Sequence, residues 1–325
     1  MAFPLNLPVD HLLADCDNIL LAGAGGGFDV FTALPLYHHL RGQGKRVHLA
    51  NYSFMDVALA ARIDEADEVL PGLLLGTQGN IRVDLSNYPE GYLAKYLNRE
   101  ADVPETVWVI QKTGIPQVRR AYEALVERLE IDAIVLCDGG VDSLMQGNEI
   151  GAGTFLEDTI SVQAVATLDN VPVKILGAVG MGTEVEEDIN HHAFLAHVAT
   201  LAKQEAYFGC CALLPQMESF QFYERAARYV FELPEHEASR IQSRLIPAVW
   251  GEFGDYNMYN HPRQPEIFLT PLTSLYWFFD LGAVAARSKI AAMIRNAETF
   301  QDALFVVRGW MRFNPDQPPR KHILL

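Results

Sequence analysis

The chain has 325 residues, of which 50% are hydrophobic and 20% charged, with a formal net charge of −16. That size and composition fit a soluble protein with one large α/β core and an appendage, or two domains. The charge excludes nucleic acid as a general partner, because the densest basic cluster, Arg320-Lys321-His322, is too short for a phosphate-binding footprint.

The first residues carry no basic segment and no uninterrupted apolar one, so no secretory signal is expected. No window approaches about 18 consecutive apolar residues, which excludes a spanning helix and a membrane partner. The most apolar tract, Leu275-Tyr-Trp-Phe-Phe279, is cut by Asp280 and reads as a buried strand or helix. Cys16, Cys137, Cys210 and Cys211 form no C-x-x-C pair, which argues against structural zinc and a thioredoxin-like motif. They read as small buried hydrophobes in a reducing, cytoplasmic compartment.

The first strand is Asn18-Ile-Leu-Leu-Ala-Gly-Ala24, running into Gly23-Ala-Gly-Gly-Gly27-Phe28-Asp29 and then a helix over 30–40. A strand, glycines and a helix start make an anion cradle, so Gly25, Gly26 and Gly27 are candidate contacts to an anionic group or cofactor. Glycines needed only for a tight turn are the plainer alternative. The dinucleotide fingerprint fits in part: Phe28 stands at its third glycine position. The next strand, Arg46-Val-His-Leu-Ala50, ends in Asn51-Tyr-Ser53 instead of a ribose-holding acid. Both departures argue against NAD and leave another nucleotide open. Asp29 is an ordinary helix-start acid, or a metal ligand if it faces the loop.

A short helix over 56–62 follows, then a strand or loop over 68–75. Residues 79–99, polar and rich in tyrosine (Tyr88, Tyr92, Tyr96), suggest a lid or insertion. Thr106-Val-Trp-Val-Ile110 is a strand, and Lys112 just past it is either a surface lysine or a partner for carboxylate or phosphate. Val118, Ala121, Tyr122, Leu125 and Leu129 mark an amphipathic helix over 118–130.

The chain is organised around residues 134–168. The buried strand Ile134-Val-Leu-Cys137 delivers Asp138 to its carboxyl end, where open α/β sheets bind ligands. A glycine-rich loop holding Asp142 and Glu149 follows, and Thr154 with Glu157 reads as a capping box that starts a helix. Asp138, Asp142, Glu149, Glu157 and Asp158 thus fall in one segment. A connection this much longer than the usual 4–6 residues is functional or disordered, and its spacing favours function.

Val173-Lys-Ile-Leu-Gly-Ala-Val179 is another buried strand, ending in Gly180-Met-Gly182-Thr-Glu184. His191, His192 and His197 follow on a helix over 190–206 without the i, i+4 spacing of zinc-binding helices, and read as surface or core histidines. Helical segments are expected over 217–232, 235–246 and 290–296. The loop over 251–262 would close over the site or form a dimer contact, which leaves a homo-oligomer open. Residues 316–320 read as a tail.

Gly25-Gly-Gly27-Phe-Asp29 with Asp138-Gly-Gly140-Val-Asp142, Gly147-Asn-Glu149 and Glu157-Asp158 resembles the domain of unknown function 1152 family. The resemblance implies a fold more than an activity. A fainter similarity connects the chain to D-glutamate cyclase-type enzymes, whose Asp-Gly-Gly-Asn-Glu-Ile-Gly run is split here by six residues between Gly140 and Gly147.

The expected fold is α/β, a Rossmann-like doubly wound, mainly parallel sheet over 1–210 with a mainly helical portion over 211–325. Asp29, Asp138 and Gly182-Thr-Glu184 would line one crevice. The leading expectation is a lyase- or hydrolase-type enzyme for a small polar or anionic metabolite bearing carboxylate or phosphate. Asp138, Asp142 and Glu149 would hold a divalent cation, Mg²⁺ or Mn²⁺, with Glu149 and Asp142 catalytic. Glu149 would lie near Asp138 and Asp142 with a raised pKa. The alternatives are a non-catalytic nucleotide- or metabolite-binding regulator in the same crevice, and a subunit whose acidic loops bind a partner.

Overall fold

The computed structural model describes residues 7–83, 85, 87–99, 103–184, 188–233, 239–256, 267–314 and 321. Helix α1 (Pro8–Ala14) leads to strand β1 (Asn18–Gly23), then α2 (Asp29–Thr32), α3 (Leu34–Gly42), β2 (Arg46–Ser53) and α4 (Val57–Ile63). The hairpin β3 (Asp67–Leu70) and β4 (Leu74–Thr77) precedes α5 (Pro89–Leu97), β5 (Val107–Gln111), α6 (Ile115–Leu129) and β6 (Ala133–Gly139). Then come α7 (Phe155–Ala166), β7 (Val173–Val179), α8 (His191–Lys203), β8 (Tyr207–Ala212), α9 (Glu218–Phe231) and α10 (Arg240–Val249). A small pair, β9 (Gly254–Asp255) and β10 (Phe268–Leu269), precedes β11 (Leu275–Asp280), α11 (Leu281–Ala285), α12 (Ala291–Ile294) and α13 (Phe300–Phe313).

Nine strands form one sheet in the order β3-β4-β5-β2-β1-β6-β7-β11-β8. The central run from β5 to β7 is parallel, while β3, β4 and β11 pair antiparallel with their neighbours. The Rossmann-like α/β fold read from the sequence is therefore the fold of the chain. Every residue of β1 and β6 is buried, as strands covered on both faces require. One face packs under α6, α7, α8 and α13 through Tyr122, Ile160, Phe194 and Ala303. The other packs under α3, α5, α9 and α10 through Tyr37, Leu93, Phe220 and Leu245.

The chain winds outward from β1 through β2 to β5 on one side, and from β6 to β7 on the other. The gap between the carboxyl ends of β1 and β6 is thus the topological switch point, the place where open α/β sheets bind their ligands.

Several expectations shift in detail. The helix expected over 30–40 is two pieces, α2 and α3, with Pro35 in the first turn of the second, where its missing N–H costs nothing. Strand β2 continues through Asn51 to Ser53, all buried. Residues 79–99 form no lid where described: α5 enters the core, with Tyr88 and Tyr92 buried. The division expected at 210/211 falls inside β8, and β11 stands between β7 and β8, so the sheet runs through both parts. Helix α10 begins at Arg240 and α13 was not anticipated. Most of the 251–262 loop and all of the 316–320 tail lie outside the described residues.

All four cysteines are unpaired, with Cys16 and Cys137 buried and Cys210 and Cys211 half-buried. Among the described residues, no helix is long and apolar enough to cross a membrane.

Candidate functional site

Asp29 opens α2 directly after the glycine run. Its carboxylate folds back, with Oδ2 accepting from the Gly25 amide at 2.7 Å and Oδ1 from the Gly139 amide at 3.2 Å. One side chain thereby ties the loop after β1 to the end of β6. The loop can curl this tightly because Gly26 and Gly27 have φ of +100° and +58°, where a side chain is strained. A Cβ on Gly26 would also stand 2.6 Å from the Tyr52 carbonyl oxygen. The Gly25 amide is thus already engaged by an internal carboxylate. The loop is held from behind by Asn51, whose Nδ2 donates to the Gly27 carbonyl at 2.8 Å and to Glu90 at 2.6 Å.

Asp138 is the penultimate residue of β6 and accepts from the Ser143 amide at 3.2 Å and from the Ser143 hydroxyl. Asp158 lies in the first turn of α7, a helix pinned to the end of β1 by the Ser161 hydroxyl donating to the Ala24 carbonyl at 2.6 Å. Carboxylate oxygens of Asp29, Asp138 and Asp158 lie within 4.8 Å of one another. Asp158 and Asp138 are 1% and 2% exposed and Asp29 is 8% exposed, so what access there is comes from the Asp29 side. The Oδ1 atom of Asp158 is buried and has no hydrogen-bond partner among the described residues.

Like charges this close cannot all ionise cheaply without a counter-charge. Burial, opposed by the Gly25 amide and reinforced by Asp142, pushes Asp29 up to about 7. Burial and then the charges of Asp142 and Asp29 raise Asp138 well above the usual carboxylate range. Asp158 is raised in the same way, by burial and then by Asp142, Asp138 and Asp29.

Of the residues expected at the site, the structure brings Asp29 and Asp138 together with Gly25 around them. Asp142 lies close enough to act on all three aspartates, but its Oδ2 accepts from the Thr154 amide at 2.8 Å and the Thr154 hydroxyl at 2.9 Å. That contact replaces the expected capping box, and Glu157 instead meets Lys112 at 2.7 Å. Lys112 also stands over the rings of Phe300 (3.9 Å) and Phe54 (4.4 Å), so it is not a simple surface lysine.

Glu149 is not brought into the cluster. Oε1 accepts from the Gln146 amide at 2.9 Å and lies 2.8 Å from His197 Nε2, while Oε2 accepts from the Gly147 amide at 2.9 Å. Burial opposes its charge, but the bonds from His197 and Gln146 outweigh burial, and its pKa falls where a rise was expected. Arg287 stands 2.7 Å from His197 Nδ1, and since arginine can only donate, Nδ1 accepts and Nε2 carries the proton toward Glu149. Glu184, expected to line the crevice, accepts from the Val141 amide at 2.7 Å and packs against Gly140, bracing the turn after β6.

Asp158 is the site residue that sequence reasoning passed over as a ligand. Its signal was an acid inside the nearly uncharged segment Phe155–Ala166, with no basic residue one turn away on either side. The other missed residue is Glu90, fully buried at the back of the glycine loop and pushed up to about 7 by burial against the opposing bonds from Asn51 and Ser53.

The three aspartates fit a hard divalent cation. Their donors are all carboxylate oxygens, they converge from three elements, and Asp158 carries a buried oxygen with no hydrogen-bond partner among the described residues. No curated protein and no solved structure matches the chain. The family described as "Protein of unknown function (DUF1152)" matches residues 86–310, which include Asp138 and Asp158, and with well over half its length so matched the chain belongs to that family.

Proposed function

We propose that Asp29, Asp138 and Asp158 hold a divalent cation, Mg²⁺ or Mn²⁺, at the β1/β6 switch point, and that the chain is an enzyme of lyase or hydrolase type. Its substrate is a small polar metabolite bearing carboxylate or phosphate. The observation that carries the reading is the buried Asp158 Oδ1, without a hydrogen-bond partner among the described residues, on a carboxylate grouped with two others. A cation held there supplies Lewis-acid polarisation of a substrate oxygen or lowers the pKa of a bound water.

The protein's own groups have separate tasks. The Gly25 and Gly139 amides fix the Asp29 carboxylate, and Ser143 fixes Asp138. Asp142, held by Thr154, adds negative charge that favours a cation and, with the raised aspartates, offers a place to store a proton. Glu149 is a positioning residue: it fastens the loop carrying Asp142 to α8 through His197.

The deep burial of Asp138 and Asp158 favours a second reading, in which the ion is structural and the chain is a non-catalytic nucleotide- or metabolite-binding regulator. The test is thermal melting of the full chain with Mg²⁺, Mn²⁺ or EDTA, alone and with acidic amino acids and nucleotides added, followed by turnover assays on any stabilising compound. Wild type should be stabilised by the ion and Asp158→Asn should not be. Absence of an ion effect in wild type refutes the site, whereas ion binding and metabolite stabilisation without turnover select the regulator.

A further inference from the structure

Helix α13 has an outward face that the described fold leaves uncovered. Phe300, Ala303 and Val307 turn inward and are buried. At 3.6 residues per turn, Asp302, Phe305, Gly309 and Arg312 share the opposite face, flanked by Arg308 and Phe313. Phe305 is 81% and Phe313 79% exposed, the largest exposures among the bulky apolar side chains described. Isolated exposed apolar residues need no explanation, but two on one helix face with a glycine between them do.

Gly309 is the second anomaly. A glycine inside a helix costs about 1 kcal/mol relative to alanine. Nothing among the described residues lies within 4 Å of a Cβ built at Gly309, so no contact with them calls for it. A glycine at an exposed helix position is useful where another body must come close to the backbone from outside.

The geometry points to a second copy of this chain, docked antiparallel on α13 about a two-fold axis at the level of Val307. In that register Phe305 lies over Gly309 of the second copy, and Gly309 receives the other Phe305. Asp302 falls opposite Arg312 of the second copy, and each pairing is made twice, as an isologous contact requires. Antiparallel packing sets the acidic first turn against the basic last turn, whereas a parallel copy would set like charge against like. The two arginines on this face also let copies approach there despite a net charge of −16. The four phenylalanines bring on the order of 600 Å² to the contact, a substantial part of the roughly 1,200 Å² of a small specific interface.

Sedimentation velocity on the full chain from about 1 to about 100 µM tests this. Wild type should be dimeric at the upper end, and Phe305→Ser and Gly309→Leu monomeric with native circular dichroism. Gly309→Leu raises helix propensity, so its effect cannot come from loss of the helix. Asp302→Arg and Arg312→Asp should each weaken the dimer about tenfold or more, and the double variant should return to within about threefold of wild type. A monomeric wild type at the highest concentration, a dimer that Phe305→Ser and Gly309→Leu leave intact, or a charge exchange that does not restore association would each overturn the proposal.

Discussion

The carboxylate of Asp158 lies against the α-carbon of Gly25: a Cβ there would stand 2.8 Å from Oδ2 and 3.0 Å from Oδ1, and 3.0 Å from Oδ2 of Asp29. The glycine after β1 is therefore required by the acids around it, whatever ligand the loop meets. Gly25→Ala should drive Asp158 and Asp29 apart and cost about 1–3 kcal/mol, the usual range for overpacking. It should also abolish any rise in melting temperature with Mn²⁺ while leaving far-UV circular dichroism native. An alanine variant with wild-type stability and a wild-type ion response would show that the acids can yield to the added methyl.

The aspartate cluster also sets a pH dependence. Asp29 titrates at about 7, and Asp138 and Asp158 are raised, so the folded chain keeps protons that the unfolded chain releases near pH 4. Where the folded state binds more protons, stability falls as pH rises. Without divalent ions, urea denaturation should show stability present below about pH 4 and lost progressively through about pH 7. A bound cation favours the charged forms, so the increment from Mn²⁺ should be near zero at about pH 5 and large at about pH 8. An increment that is the same at both pH values would separate ion binding from these three groups.

Glu149 should behave in the opposite sense. Its pKa is lowered, so its contribution is present above the ordinary carboxylate range and disappears as pH falls through the lowered value. Glu149→Gln should destabilise the chain at neutral pH by roughly 1–3 kcal/mol, as expected for a hydrogen-bonded charge, and by little near pH 3. The response to Mn²⁺ should survive. Loss of that response in an otherwise folded variant would return Glu149 to the ion site.

Glu90 gives a control behind the glycine loop. It titrates at about 7 because it is fully buried, and its Oε2 has no hydrogen-bond partner among the described residues. Glu90→Gln keeps the shape without the charge, so it should be close to neutral at about pH 5 and stabilising by about 1–2 kcal/mol at about pH 8. Chemical denaturation at the two pH values measures this. Equal effects at both would mean that Glu90 ionises in the folded chain as it does in the unfolded one, without the rise that burial causes.

Much of the fold was legible because apolar runs and glycine punctuation are local. Strands β1, β5, β6 and β7 and helix α6 fall where their apolar patterns put them, and α7 starts after Thr154 as expected although the capping box that announced it is not made. The site was legible only in part, because burial and direction are not local. Asp138 was found because a buried strand leads straight into it. Asp158 was not named as a ligand, because a helix-start acid has an ordinary explanation until the helix is seen to be buried nearly all round. Glu149 was placed among the aspartates by sequence proximity. The turn at Gly147, with φ of +96°, points it instead at His197, 48 residues downstream.

The antiparallel strand β11 has a consequence for how the chain is made. Tyr276 pairs with Val179 and with Cys211, so a strand synthesised after both β7 and β8 fills the slot between them. On the ribosome, β6 and β7 can pair early, but the outer edge of β7 stays open while about 100 further residues emerge, and β8 has no neighbour at all. Exposed apolar edges of this kind recruit other chains. A nascent or truncated chain ending before Leu275 should therefore be aggregation-prone and dependent on chaperones, although every aspartate of the candidate site has already been synthesised.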